Sequence, residues 1–297
     1  MDIKKLYGIM PALMTAFDGE GIDRPSVARL IHKMKENGVD GLYVGGSSGE
    51  MVLCSVDERK ALLETVMENK GNLAVIAHVG SLSTADTTIL AAHAKECRAD
   101  AVSSVTPLYY KYSFAEVKNY YRRIAEASEL PVIIYNIPAI TGSSYGYDQL
   151  CELLEIDGVQ GMKFTSSDFY LLNRLVNTYP EKVFYNGSDE MLLSGLSAGA
   201  HGGIGTTYNF MPELIVRIHE CFKAADIAGA QEAQSVVNSV IATVLKHGVL
   251  PASKYMVSLS GVPYGECREP FLPLDDNAKA DLYENAWAII EDFKKKI

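Results

Sequence analysis

The feature that most restricts how this chain can fold is a repetition of form. Short apolar runs alternate with helix-like stretches eight times between Gly8 and about residue 225. The runs are Gly8–Thr15, Leu42–Val44, Leu73–His78, Ala101–Val105, Val132–Tyr135, Val159–Lys163, Val183–Asn186 and the weaker Gly202–Gly205. They are apolar along most of their length, so they read as strands buried on both sides, which means a parallel sheet covered by helices. The stretches between them carry helix punctuation. Pro25 opens a pattern with Val27, Leu30, Ile31 and Met34 at helical spacing, ending at Asn37-Gly38. Ser55 and Glu58 form a capping box ahead of a helix to Asn69. Helices follow over Thr84–Cys97, from Ser113 to about Ser128, over Tyr147–Leu154, Asp168–Tyr179 and Asp189–Ala198, and from about Pro212. Eight strand–helix units in about 225 residues favour an α/β chain folded as a (β/α)8 TIM barrel over an open doubly wound sheet. Asp226–His247 and Asp275 to the C-terminus add helices, with Pro251, Pro263, Pro270 and Pro273 between them. The expected organisation is a barrel over 1–225 with a helical extension over 226–297, packed as one compact unit.

Composition narrows the partners. The 297 residues are 48% hydrophobic and 22% charged, enough apolar material to bury a large core. A formal net charge of -10, spread along the chain, argues against nucleic acid and anionic membrane as partners. Met1–Lys5 lacks the apolar core of a signal peptide, and no apolar run is long enough for a membrane span. Cys54, Cys97, Cys151, Cys221 and Cys267 are far apart and form no C-x-x-C, as expected of reduced thiols in the cytoplasm. The six histidines show no metal-ligand spacing. His78, closing an apolar run, reads as a satisfied core histidine, and no metal site is expected.

In a (β/α)8 barrel the active site lies at the C-terminal ends of the strands. The sixth run, Val159-Gln160-Gly161-Met162-Lys163, ends in a lysine among apolar neighbours. Low dielectric strips hydration from an ammonium and favours the neutral amine, and a neutral amine that reaches a carbonyl forms a Schiff base. The alternative is a lysine that snorkels to solvent from a strand end. The second run breaks into Gly45-Gly46-Ser47-Ser48-Gly49-Glu50. Such a turn presents N–H groups and the hydroxyls of Ser47 and Ser48 to an anion such as a carboxylate, or is an ordinary tight turn. The fourth and fifth runs lead into Thr106-Pro107-Leu108-Tyr109-Tyr110 and Tyr135-Asn136-Ile137-Pro138. A tyrosine beside a Schiff-base amine is a candidate for proton transfer; the alternative is a packing aromatic at the rim. Thr165 follows Lys163, and Asn186-Gly187-Ser188-Asp189-Glu190 ends the seventh run. Those two acids suit the hydroxyls of a polyol, although a helix N-terminus also favours acids. Thr206 and Thr207 follow the eighth. Each signal is weak alone; their joint placement at successive strand ends is the argument.

Three of these stretches resemble family motifs. Gly45-Gly-Ser-Ser-Gly-Glu50 is similar to the GGSTGE turn of the pyruvate-dependent class I aldolases that include N-acetylneuraminate lyase and dihydrodipicolinate synthase. Tyr135-Asn-Ile-Pro138 and Gly161-Met-Lys-Phe-Thr165 resemble that family's tyrosine and Schiff-base lysine motifs, in the same order and spacing. The resemblance runs from about Tyr7 into the C-terminal helices. Ala77-His-Val-Gly80, Ala101-Val-Ser-Ser-Val-Thr-Pro107, Tyr185-Asn-Gly-Ser-Asp-Glu190 and Gly202-Gly-Ile-Gly-Thr-Thr-Tyr-Asn209 are most similar to the lyase branch. The synthase branch carries an arginine after the tyrosine motif, where this chain has Ala139-Ile140-Thr141-Gly142. Ser48 replaces the usual threonine and Thr206 the usual serine, and both keep the hydroxyl.

The resemblance implies reversible cleavage of N-acetylneuraminate to N-acetylmannosamine and pyruvate, with no cofactor beyond a Schiff base on Lys163. It implies Tyr135 as proton donor and acceptor, Ser48 as a relay bonded to Tyr135, and Ser47 and Ser48 on the substrate carboxylate. Thr165, Gly187, Asp189, Glu190 and Thr206 would hold the polyol. A tyrosine of the Tyr109–Tyr110 pair, with Tyr110 as the candidate, would complete the relay from a neighbouring subunit of a homotetramer. An aldolase for another 2-keto-3-deoxy sugar acid is the alternative. A serine hydrolase built on Gly45–Gly49 is remote, because Met51-Val52-Leu53-Cys54 intervenes before the helix that a nucleophile elbow requires. A non-catalytic barrel is disfavoured by the joint presence of Lys163 and Tyr135.

Overall fold

A computed structural model describes residues 3–19 and 21–296. Its main sheet has eight parallel strands: β1 Gly8–Pro11, β2 Gly41–Val44, β3 Ala74–His78, β4 Ala101–Val105, β5 Val132–Asn136, β6 Val159–Phe164, β7 Val183–Asn186 and β8 Gly202–Gly205. They run in the order β1-β8-β7-β6-β5-β4-β3-β2. The ends of this sheet meet. Ala12 bridges Tyr43 in parallel, Leu13 N–H donates to Tyr43 O at 2.8 Å, and Asp40 N–H donates to Ile9 O at 2.9 Å. The fold is therefore the (β/α)8 TIM barrel that the alternation of the sequence predicts.

Around it lie α1 Arg24–Glu36, α2 Val56–Asn69, α3 Thr84–Glu96, α4 Phe114–Ser128, α5 Tyr147–Leu154, α6 Phe169–Thr178, α7 Leu192–Ser197 and α8 Pro212–Lys223. Side chains alternate along each strand, which separates two cores. Met10, Tyr43, Ile76, Ile133, Tyr135, Val183, Tyr185 and Ile204 pack together inside the barrel. Ile9, Leu42, Val75, Val102, Ile134, Met162 and Phe184 pack outward against the helices. Leu6 closes the floor, where its carbonyl accepts the hydroxyl of Tyr185.

Several elements differ from the sequence reading. The first run is strand only to Pro11; beyond it Asn209 takes over from the ladder, accepting from Met14 N–H at 3.1 Å and donating to Ala12 O at 2.8 Å. Phe17–Asp18 and Gly21–Ile22 form a small hairpin that the pattern did not announce. The helix expected from Asp189 begins as a 3-10 turn, Asp189–Met191, and becomes α-helical at Leu192. The C-terminal extension has α9 Ile227–Lys246, an unanticipated α10 Val249–Leu259, and α11 Asp276–Leu282, which continues through a π turn to Lys294. It is tied to the barrel by polar contacts at several points. Lys33 Nζ donates to Ser260 O at 2.8 Å, Lys294 pairs with Glu213 at 3.0 Å, and Tyr264 donates to Met14 O at 2.7 Å. Among the described residues no single helix is long and apolar enough to cross a membrane.

Candidate active site

Lys163 stands at the end of β6, in register with Tyr135 of β5 and Tyr185 of β7. The inward phase of β6 buries it to 4% exposure. Its Nζ lies 4.0 Å from the ring centroid of Tyr135 and 4.9 Å from that of Tyr43. Among the described residues Lys163 forms no ion pair with a carboxylate. The amine is therefore walled by two aromatic faces, which attract a cation without consuming its donors. Tyr43 donates to Ser103 Oγ at 3.0 Å, and burial pushes its phenol well above the ordinary value. His78, at the end of β3, is buried beside both rings, 6.0 Å from Tyr43 and 6.3 Å from Tyr135. Its Nε2 accepts from Val105 N–H at 3.2 Å. Burial, then the charges of Arg59 and Lys163, hold its imidazole well below the ordinary value, so it is neutral. This is the satisfied histidine that the sequence predicts.

The Gly45–Glu50 turn follows the C-terminal end of β2. Gly45 has φ +70°, and a Cβ on Gly46 would lie 2.6 Å from Tyr43 Cε1, so both positions need glycine. Ser47–Gly49 make one 3-10 turn. Among the described residues the N–H groups of Ser47 and Ser48 have no backbone acceptor, which leaves them available to an anion. Ser48 Oγ lies 2.6 Å from Thr206 Oγ1 and so joins the turn to the end of β8. That bond takes the place of the one to Tyr135 envisaged from the sequence. Glu50 turns away from the mouth. Its φ is 57°, its Oε1 lies 2.6 Å from Lys254 Nζ, and its Oε2 accepts Arg268 N–H at 2.8 Å. The acid of the motif anchors the turn to the C-terminal helices.

The opposite side of Lys163 is lined by polar groups. Thr165 Oγ1 is buried and, among the described residues, has no partner. A Cβ on Gly187 would lie 1.9 Å from that oxygen and 3.2 Å from Lys163 Cε, so glycine keeps the space beside the amine open. Asp189 is buried, and its Oδ2 accepts from Thr207 N–H at 2.8 Å and Thr207 Oγ1 at 2.7 Å. Burial raises its carboxyl above the usual carboxylate range, opposed by the Thr207 bonds and the charge of Lys163. Glu190 is exposed. Tyr109 and Tyr110 pack edge to face, 5.0 Å apart, and are 88% and 70% exposed on the rim. The sequence reading placed Thr207 at its strand end without a role, and missed Tyr43 and Arg59. The two-residue phase of β2 points Tyr43 inward and was a usable signal; the role of Arg59 depends on contacts made across the fold.

The chain belongs to the dihydrodipicolinate synthetase family, whose model matches residues 5–288. Within it, the N-acetylneuraminate lyase of Rhizobium meliloti (strain 1021) is 43% identical over 282 residues, 94% of each chain. A structure of the Ruminococcus gnavus sialic acid aldolase mutated at its catalytic lysine has a TM-score of 0.95 at 32% identity, covering 99% of this chain and 98% of that one. CdNal from Clostridium difficile, solved in complex with mannosamine, has a TM-score of 0.91 at 37% identity, covering 97% and 99%.

Proposed function

We propose that this chain is a carbon–carbon lyase that cleaves N-acetylneuraminate reversibly to N-acetylmannosamine and pyruvate, through a Schiff base on Lys163. The observation that carries the mechanism is the lysine itself, buried at a strand end between two tyrosine faces with no carboxylate partner among the described residues. The amine adds to the C2 ketone and water leaves, giving an iminium. The C4 hydroxyl gives up its proton, C3–C4 breaks, and the bonding pair moves into the iminium as an enamine while C4 becomes the aldehyde. Protonation of the enamine at C3 and hydrolysis release pyruvate and restore the amine. The iminium polarises the carbonyl as a metal ion would elsewhere, so this chemistry calls for no cofactor.

Tyr135, whose ring lies against Nζ, is the proton shuttle, with the substrate carboxylate alongside. Ser47 and Ser48 take that carboxylate, and the bond of Ser48 to Thr206 fixes the turn against the end of β8. Thr165, with its unpaired buried hydroxyl, and Gly187, Asp189, Glu190 and Thr206 receive the polyol. The exposed Tyr109–Tyr110 pair suits burial against another copy in a homotetramer, with Tyr110 reaching the neighbouring site. The same reading places the protein in the cytoplasm, where its free thiols persist.

The test pairs covalent trapping with turnover. Borohydride with pyruvate should leave a reduced adduct on Lys163, and N-acetylneuraminate should release pyruvate. An adduct elsewhere, or none, overturns the Schiff base; turnover of another 2-keto-3-deoxy sugar acid in preference to N-acetylneuraminate overturns the substrate.

A further inference from the structure

Two buried cations, Lys254 and Arg59, are not used by that mechanism, and Lys254 is paired with Glu50. Arg59, on α2, is 6% exposed and lies behind the Gly45–Glu50 turn. Its Nη1 donates to Gly80 O at 2.7 Å, and its Nη2 donates to His78 O at 2.6 Å and Gly45 O at 3.4 Å. Its Nε–H is buried and, among the described residues, has no acceptor. Among the described residues it forms no ion pair; Asp86 acts on it only from beyond that range. Burial lowers the guanidinium to about 10, which leaves it charged near neutral pH.

Buried charges in proteins are almost always paired, because desolvation is costly and neutral acceptors offset only part of it. Three carbonyls would satisfy any neutral donor of the right shape, so scaffolding alone does not call for a charge. The carbonyls also have a direction. In a planar trans peptide the N–H points opposite to the C=O, so fixing Gly45 O toward Arg59 turns Gly46 N–H away from it. The turn therefore has a buried cation behind it and, at Ser47 and Ser48, unpaired N–H groups.

We propose that Arg59 is a positioning residue that supplies the counter-charge for the substrate carboxylate seated on the Gly45–Glu50 turn. This rests on the reading of that turn as the carboxylate site. The missing partner of the guanidinium is then the substrate, and Arg59 acts through the turn without touching the reacting atoms.

The experiment compares borohydride trapping by pyruvate with trapping by methyl pyruvate, which keeps the ketone and lacks the negative charge. Trapping of pyruvate by the unaltered protein establishes the aldolase reading first; its failure there would sink that reading as a whole. Arg59→Gln keeps donors for the carbonyls and removes the charge. The pyruvate concentration for half-trapping should rise about tenfold, as for loss of a unit charge several ångströms away at an effective dielectric of about 20. The value for methyl pyruvate should stay within about twofold. A parallel rise for both ketones, or no rise for either, overturns the proposal. Arg59→Lys keeps the charge and should keep the preference for pyruvate over its ester. If that preference is lost in a folded Arg59→Lys protein, the charge is not what the turn uses, whether or not the Gln variant folds.

Discussion

Lys163 at the mouth of the barrel and Lys254 on α10 are buried to nearly the same degree, 4% and 1% exposed. Lys254 lies 2.6 Å from Glu50, donates to Glu266 O at 2.8 Å and sits over the ring of Phe17. Lys163 meets the faces of Tyr135 and Tyr43 and, among the described residues, no carboxylate. Burial alone therefore does not mark a reactive lysine. A counter-ion commits the ammonium to structure, and aromatic walls leave the amine accessible to a ketone. The two regions are joined through one strand and its turn: Tyr43 of β2 lies against the first lysine, and Glu50, in the turn that follows β2, pairs with the second.

The largest effect that separates the two regions is expected from Lys163→Met. Pyruvate release should fall by about 10⁵-fold or more. Thermal stability should hold or rise, because no carboxylate is left unpaired. Lys254→Met should instead destabilise the protein by about 3–5 kcal/mol, since it leaves Glu50 buried without its partner. Urea unfolding measures this, and adding Glu50→Gln should recover part of the loss. Equal destabilisation by the two lysine substitutions would erase the distinction between them.

Gly187→Ala sharpens the same contrast from the side of the chemistry. The new methyl would press on Thr165 Oγ1 and approach Lys163 Cε. Misplacing the amine should lower kcat by about 10²-fold. Unchanged kcat would show that the pocket has slack there. The smallest effect lies on the structural side. Arg268, which also reaches Leu53 O, bonds Glu58 and holds its carboxyl down at about 2. A carboxyl depressed in the folded state stabilises fully above its unfolded value of about 4.3, and that stabilisation is lost as pH falls through about 2. The pair is partly solvated, so it is worth less than about 1 kcal/mol. Arg268→Ala should therefore be less stable than the parent above about pH 5, and the gap should narrow toward pH 2. A gap independent of pH would assign the role of Arg268 to its backbone and carbonyl contacts.

Much of the site was legible before the fold. The apolar phase of Val159–Phe164 buries Lys163, and the Gly45–Gly49 run announces a turn at a strand end, because periodicity and glycine are local signals of burial and backbone shape. Ser48 shows where that legibility stops. The resemblance points its hydroxyl to Tyr135, and it bonds Thr206, 158 residues away, because barrel closure sets β2 and β8 on either side of β1. Glu50 is a similar case: the sequence places it in a candidate substrate turn, and Arg268, 218 residues on, helps to hold it down.

The sequence by itself determined the order of strands and helices, the burial of the strands on both faces and the presence of an amine in apolar surroundings. These follow from neighbours a few residues apart. The tertiary structure alone decided which buried charges are paired. Lys254 has Glu50, Lys163 has two aromatic faces, and Arg59 has three carbonyls. A counter-ion must come within about 4 Å, and in a closed barrel that distance is reached by segments that the chain itself keeps hundreds of residues apart.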